Sequence, residues 1–212
     1  YHWKPRGIAL RKKHIATIKG RAAAGLGGAP HADGPGAYRP VEKPVDFAAP
    51  QLGAIEAYNE GHAAIRRADA AADSARADAD YREALHKLDE AVKLDPAMHE
   101  AWTYIGYARR QLRDYDGALR AYAQALRINP DYTHAIEYQG EAFVRLGRMD
   151  EAKFNYLRLY ALSPPLAAKL LASMQQWIAT NRDAGSGELE AWLAERAALA
   201  SKAGNDQPGD SW

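Results

Sequence analysis

From about Gln51 to Asn181, apolar residues recur three and four positions apart, which is the spacing of amphipathic helices and not of strands. Turn signals interrupt this pattern at a fixed interval. Leu94-Asp95-Pro96, Ile128-Asn129-Pro130 and Leu162-Ser163-Pro164 follow one another every 34 residues. Proline lacks the N–H that a helix interior needs, so each triplet marks a boundary. A period of 34 holds two short helices and their turns, and such a unit buries its apolar faces only by stacking on its neighbours. The pattern predicts an all-α chain of antiparallel helix pairs.

Two units can be read in full. In the first, Trp102, Ile105, Gly106 and Ala108 fall on one helix, and Ala118, Tyr122 and Ala125 on the next. In the second, Ile136, Gly140 and Phe143 precede Ala152, Tyr156 and Leu159. Gly106 and Gly140 stand where paired helices approach closely, Tyr122 and Tyr156 fill the space between them, and Trp102 is expected to be a packed core residue. These positions and their spacing resemble the tetratricopeptide repeat family over about 130 of the 212 residues. An earlier unit follows the same order less regularly. Tyr58, Gly61 and Ala64 precede Ala84, Leu88, Ala91 and Pro96, with an additional stretch, Ala68 to Asp80, that either lengthens the helices or protrudes.

The resemblance implies a right-handed solenoid of about three repeats plus a further helix over residues 51–180. Leu166–Thr180 and Glu188–Ala200 continue the helical spacing and are expected to close the last apolar face as a capping helix pair. Residues 181–212 combine that last helix with an acidic tail, and Ser186 is a candidate cap. Arg21–Pro50 is rich in Gly, Ala and Pro and has little apolar area to offset ordering, so residues 1–50 are expected to form either a disordered tail or an extended arm, the latter supported by the anchors Tyr1, Trp3, Ile8, Leu10 and Ile15.

Charge sharpens this picture. The formal net charge is only +1, yet residues 1–21 carry seven Lys or Arg and no acid, while residues 181–212 hold three basic and six acidic residues. In the arm, Trp3, Arg11, Lys12 and Lys13 are the candidate anchors. They suit an acidic protein surface, the chain's own solenoid groove, or, as the alternative reading, phosphates of a nucleic acid or an anionic surface. The aromatic and aliphatic residues among the charges favour protein over nucleic acid.

The absence of cysteine removes disulfides, thiolate metal sites and cysteine nucleophiles. The seven histidines show no zinc-type spacing, and no glycine-rich phosphate fingerprint is present. Asp114, Asp116 and Asp150 suit turns and helix starts better than catalysis. The expectation is a non-enzymatic chain without cofactor or metal. No run is long and apolar enough for a transmembrane segment. The first residue is Tyr and cysteine is absent, which is compatible with a processed periplasmic or otherwise exported protein.

The first helix of each unit lines the concave face of such a solenoid. Counting outward from the packed positions places Tyr58, His62 and Arg66, then Glu100, Thr103, Tyr107, Arg110 and Gln111, then His134, Glu137, Glu141 and Arg145 on that face as solvent-facing groove residues. Tyr104, Tyr132 and Tyr138 are left unplaced. The expected function is a scaffold, adaptor or assembly subunit that binds a protein partner within a larger complex. Family members that clamp a C-terminal carboxylate use Lys and Asn at groove positions. Tyr58, Thr103 and Glu137 stand there instead, and Glu137 would repel such a tail.

Overall fold

The computed structural model describes residues 49–181 and 187–205, and these residues form eight α-helices and no strand. In chain order they are α1 (Ala49–Ala70), α2 (Ser74–Leu94), α3 (His99–Gln111), α4 (Tyr115–Ile128), α5 (Thr133–Arg145), α6 (Met149–Leu162), α7 (Pro164–Thr180) and α8 (Gly187–Asn205). Each helix packs on the next, and α1, α3, α5 and α7 also meet one another side by side. This is an all-α solenoid whose first helices form one layer and whose second helices form the other. No described helix is long and apolar enough to cross a membrane.

The turn inside each unit shows how sequence sets the geometry. Helix α3 ends with Arg113 at φ 64° and α5 ends with Gly147 at φ 70°, two left-handed residues 34 positions apart. At the first, Asp114 N–H donates to the Arg109 carbonyl (2.9 Å) and Arg113 N–H to Arg110 (3.0 Å). At the second, Arg148 N–H donates to Phe143 (2.9 Å) and Gly147 N–H to Val144 (3.0 Å). These paired bonds satisfy the last free carbonyls of a helix and require a left-handed residue just after its end. Glycine meets that requirement without strain, whereas arginine does not.

The start of α4 corrects one expectation. Asp114, not Asp116, accepts the backbone N–H of Gly117, at 2.9 Å. Asp116 and Asp150 occupy the first turns of α4 and α6, where their charge meets the positive end of the helix dipole. Arg148 precedes α6 and makes no side-chain cap.

Packing follows the small-against-large pattern. A Cβ built on Gly106 would fall 2.4 Å from the Tyr122 ring, so only glycine lets α3 seat on a ring that is itself fully buried. The second unit differs. The neighbour of Gly140 is Leu170 of α7, at 2.6 Å from such a Cβ, and not the paired Tyr156. Trp102 also departs from expectation. It is only partly buried, and its indole N–H donates to the Pro96 carbonyl at 3.0 Å. Its ring covers the edge of the α2–α3 contact and does not fill the core.

The stretch from Ala68 to Asp80 lengthens the first pair instead of protruding. Helices α1 and α2 run 22 and 21 residues, against 13 and 14 in the next pair. Asp73 caps α2 by accepting from the N–H groups of Ala75 and Arg76. Cross-links join the long pair: Arg67 to Asp80 (3.2 Å) and Glu83 (2.8 Å), and Lys87 to Glu60 (2.7 Å). At the other end α7 packs on α5 and α6, and α8 covers α7 with Leu189 and Leu193 buried. The arm residues Trp3, Arg11, Lys12 and Lys13, with Ser186 and residues 206–212, lie outside the described residues.

The left-handed turn gives a direct test. Arg113→Gly keeps both turn bonds and relieves the backbone, so it should stabilise the chain by about 0.5–1 kcal/mol. Urea denaturation followed by circular dichroism measures this, and a loss of stability would contradict the turn geometry.

Candidate functional site

The concave layer places equivalent residues of α1, α3 and α5 in rows. Tyr58, Thr103 and Glu137 form the deepest row, at 2%, 1% and 0% exposure. They were expected to face solvent in the groove. Side-by-side packing of the first helices closes over them, which a count along a single helix does not register. The Thr103 hydroxyl donates to the His99 carbonyl of its own helix at 2.8 Å and offers nothing to a ligand. Glu100 is also buried, at 5% exposure. His62, Tyr107, Arg110, His134 and Glu141 are partly buried, and Arg66, Gln111 and Arg145 stand exposed at the rim.

Above the buried row runs a chain of rings. Tyr58 stacks on His62 with centroids 6.0 Å apart, and His62 meets Tyr104 at 4.8 Å. Tyr104 meets Tyr107 at 6.4 Å, and Tyr107 meets Tyr138 at 5.2 Å. Tyr138 meets His134 at 6.2 Å, His134 meets Tyr132 at 5.8 Å, and Tyr132 meets His99 at 4.6 Å. The rings span α1, α3, the α4–α5 turn and α5 as one strip. The spacing alone left Tyr104, Tyr132 and Tyr138 unplaced, because the residues they touch belong to other repeats. Burial pushes the hydroxyls of Tyr58, Tyr104, Tyr107, Tyr132 and Tyr138 above the usual phenol range. Burial likewise lowers His62 and His134, helped by Arg66 at the first and Lys169 at the second. The strip therefore presents neutral rings with polar edges at neutral pH.

Two polar knots hold it. At one end Asp69 Oδ1 accepts from the Tyr81 hydroxyl (2.5 Å) and the Tyr107 hydroxyl (2.9 Å), tying α1, α2 and α3 together. Gln111 Nε2 donates to the same Tyr107 oxygen at 3.0 Å. At the other, Arg110 pairs with Glu141 at 2.8 Å, and Lys169 of α7 lies 2.9 Å from Glu137 and 3.8 Å from Glu141. The Arg110 guanidinium also lies over Tyr107 and Tyr138, and Lys169 over Tyr138, within cation–π range. Asp69 and Lys169 were missed from sequence. One ends a helix of irregular length and the other sits on the cap, so neither shares the phase of the two clear repeats.

Past the strip, Glu141, Val144, Arg145, Trp177 and Asn181 line a cavity of about 370 Å³ between α5 and α7. Among the residues expected on the face, the structure brings His62, Tyr107, Arg110, His134 and Glu141 together with the unplaced tyrosines. It leaves Arg66, Gln111 and Arg145 at the edge.

The fold has known counterparts. The tetratricopeptide repeat family model matches residues 70–133 and again residues 105–167. The first tetratricopeptide domain of human RPAP3 superposes with a TM-score of 0.53 at 23% identity, over 63% of this chain and 98% of that one. The Arabidopsis OM64 tetratricopeptide domain gives 0.52 at 19% identity, over 60% and 98%. The first such domain of Spaghetti, bound to the HSP90 peptide SRMEEVD, gives 0.51 at 23% identity, over 60% and 94%. No curated protein sequence matches the chain significantly. Residues 70–167 match the tetratricopeptide repeat model, and the described residues have the fold of a tetratricopeptide-type solenoid, which generally mediates protein–protein interaction.

The buried acid supplies a pH test. Burial and the nearby Glu141 carboxylate push Glu137 up from 4.5 to about 7, against the pull of the Lys169 ammonium. An acid whose folded pKa lies above its unfolded value holds its proton more tightly when folded. Its contribution to stability is therefore full below about 4.5 and is lost as pH rises to about 7. Glu137→Gln removes that titration, so the Tm of the variant should gain on the wild type as pH is raised through this window. Parallel Tm profiles would contradict the assignment.

Proposed function

We propose that the chain is a protein-interaction scaffold, an adaptor or assembly subunit that takes a peptide segment of its partner along the concave face of α1, α3 and α5. The observation that carries this reading is the ring strip running from His62 to Tyr132 across successive repeats. Aromatic rings already fixed by their neighbours give contact area with little further loss of conformational freedom, which is how interface anchors work. The strip crosses repeat boundaries, so it matches an extended or helical segment better than a compact metabolite.

Charge narrows the partner. The Spaghetti counterpart binds a peptide ending in two glutamates, a valine and an aspartate. In this chain Glu100, Glu137 and Glu141 line the corresponding helices, and Arg110 and Lys169 are already paired with two of them. A tail rich in carboxylates would meet uncompensated acid. A neutral, aromatic or basic segment fits better. The reading assigns binding and not catalysis to the chain.

Affinity capture from the native organism at low salt tests the reading, using the full chain and its Tyr107→Ala variant. Tyr107 is partly buried and belongs to the strip, so capture should fall at least tenfold while Tm drops by only a few degrees. Equal capture by both proteins would place recognition away from the concave face.

A further inference from the structure

The half of the groove between α1 and α3 holds carboxylates that no described Lys or Arg pairs with. Glu100 is 5% exposed, and its Oε2 has no hydrogen-bond partner. His99 Nδ1 lies 3.3 Å from it. No described Lys or Arg lies within ion-pair distance of Glu100. Its position in the first turn of α3 favours negative charge, but it makes no capping bond there. The adjacent Tyr58 hydroxyl, on a residue 2% exposed, is likewise without a partner. Asp69, farther along the same half, receives two tyrosine hydroxyls and no described cation. A buried carboxylate and a buried hydroxyl left open beside aromatic rings call for a donor that carries positive charge.

Such donors are close at hand in the chain. Residues 1–21 supply seven Lys or Arg, no acid, and the rings of Tyr1 and Trp3. Residues 22–48 separate them from α1. A chain of that length spans at most about 90 Å. Helix α1, of 22 residues, is about 33 Å long. The intervening stretch is therefore long enough for the segment to reach the groove within the same chain.

We infer that the basic segment Tyr1–Arg21 docks in cis in the concave groove between α1 and α3, with a Lys or Arg side chain meeting Glu100, and that a partner must displace it. The inference rests on the concave face being the binding face and adds that the chain carries its own competitor. Glu100 acts here as the acceptor of a cation, and the rings around it are the walls of that site.

Limited trypsin digestion of the full chain tests this, because every Lys and Arg of the segment is a cleavage site except Lys4, which precedes Pro5. Cleavage after Arg6 and Arg21 is timed in the wild type, in Glu100→Gln, and in the combined variant Arg11→Gln, Lys12→Gln, Lys13→Gln. The combined variant leaves every described helix untouched, so it reports on docking even if Glu100→Gln disturbs the fold. The expected result is cleavage at least tenfold faster in both variants, with the wild-type rate rising as salt is added and not changing with protein concentration. Three equal rates, matching that of the free peptide 1–21, would overturn the inference. Protection that grows with protein concentration would also overturn it, by assigning the groove to a second copy. Neither result bears on Tyr107-dependent capture, so a failure here leaves the proposed binding face standing.

Discussion

Helices of 13 and 14 residues are too short to be stable alone in water, and none of those described can bury its apolar face without a neighbour. Everything else in the structure depends on that constraint. Tyr122 fits α4 to α3 only because Gly106 leaves room for its ring, and the pair then presents its remaining apolar faces to the pairs on either side. Regular stacking brings α1, α3, α5 and α7 into a single layer. The price of that close approach is that one polar row, Tyr58, Thr103 and Glu137, is taken out of solvent.

Burial of that row gives the concave face its character. A carboxylate in so dry a place is held by nearby cations or stays partly protonated, and Glu137 does both, with Lys169 at 2.9 Å and a raised pKa. The rings above it are fixed from below by packing and at their ends by Asp69 and Arg110. The result is a floor of neutral aromatic edges with acid beneath it, already in place before any partner arrives. Preorganisation of this kind lets a modest surface bind a segment without ordering itself first.

Much of this was legible in the sequence. The 34-residue recurrence of Pro96, Pro130 and Pro164 defined the units, and Gly106, Tyr122 and Tyr156 marked the packing within them. The left-handed turn residues Arg113 and Gly147 were not read, because the spacing of apolar positions does not mark them. The lateral contacts were the main loss. Helical phase tells which side of α3 carries Thr103, but not that α1 and α5 close over it. For the same reason Tyr104, Tyr132 and Tyr138 had no place until their neighbours from other repeats were seen, and Trp102 was assigned to the core although it packs only against its edge. Asp69 and Lys169 lie outside the clear repeats and follow no period.

The central claim is that recognition belongs to the layer of first helices and their ring strip. Hydrogen–deuterium exchange on the full chain, with and without its captured partner, tests it most directly. The account predicts that backbone amides of α1, α3 and α5 gain protection while those of α2, α4 and α6 do not. Protection gained mainly on α2, α4 and α6 would contradict it and put the partner on the opposite face.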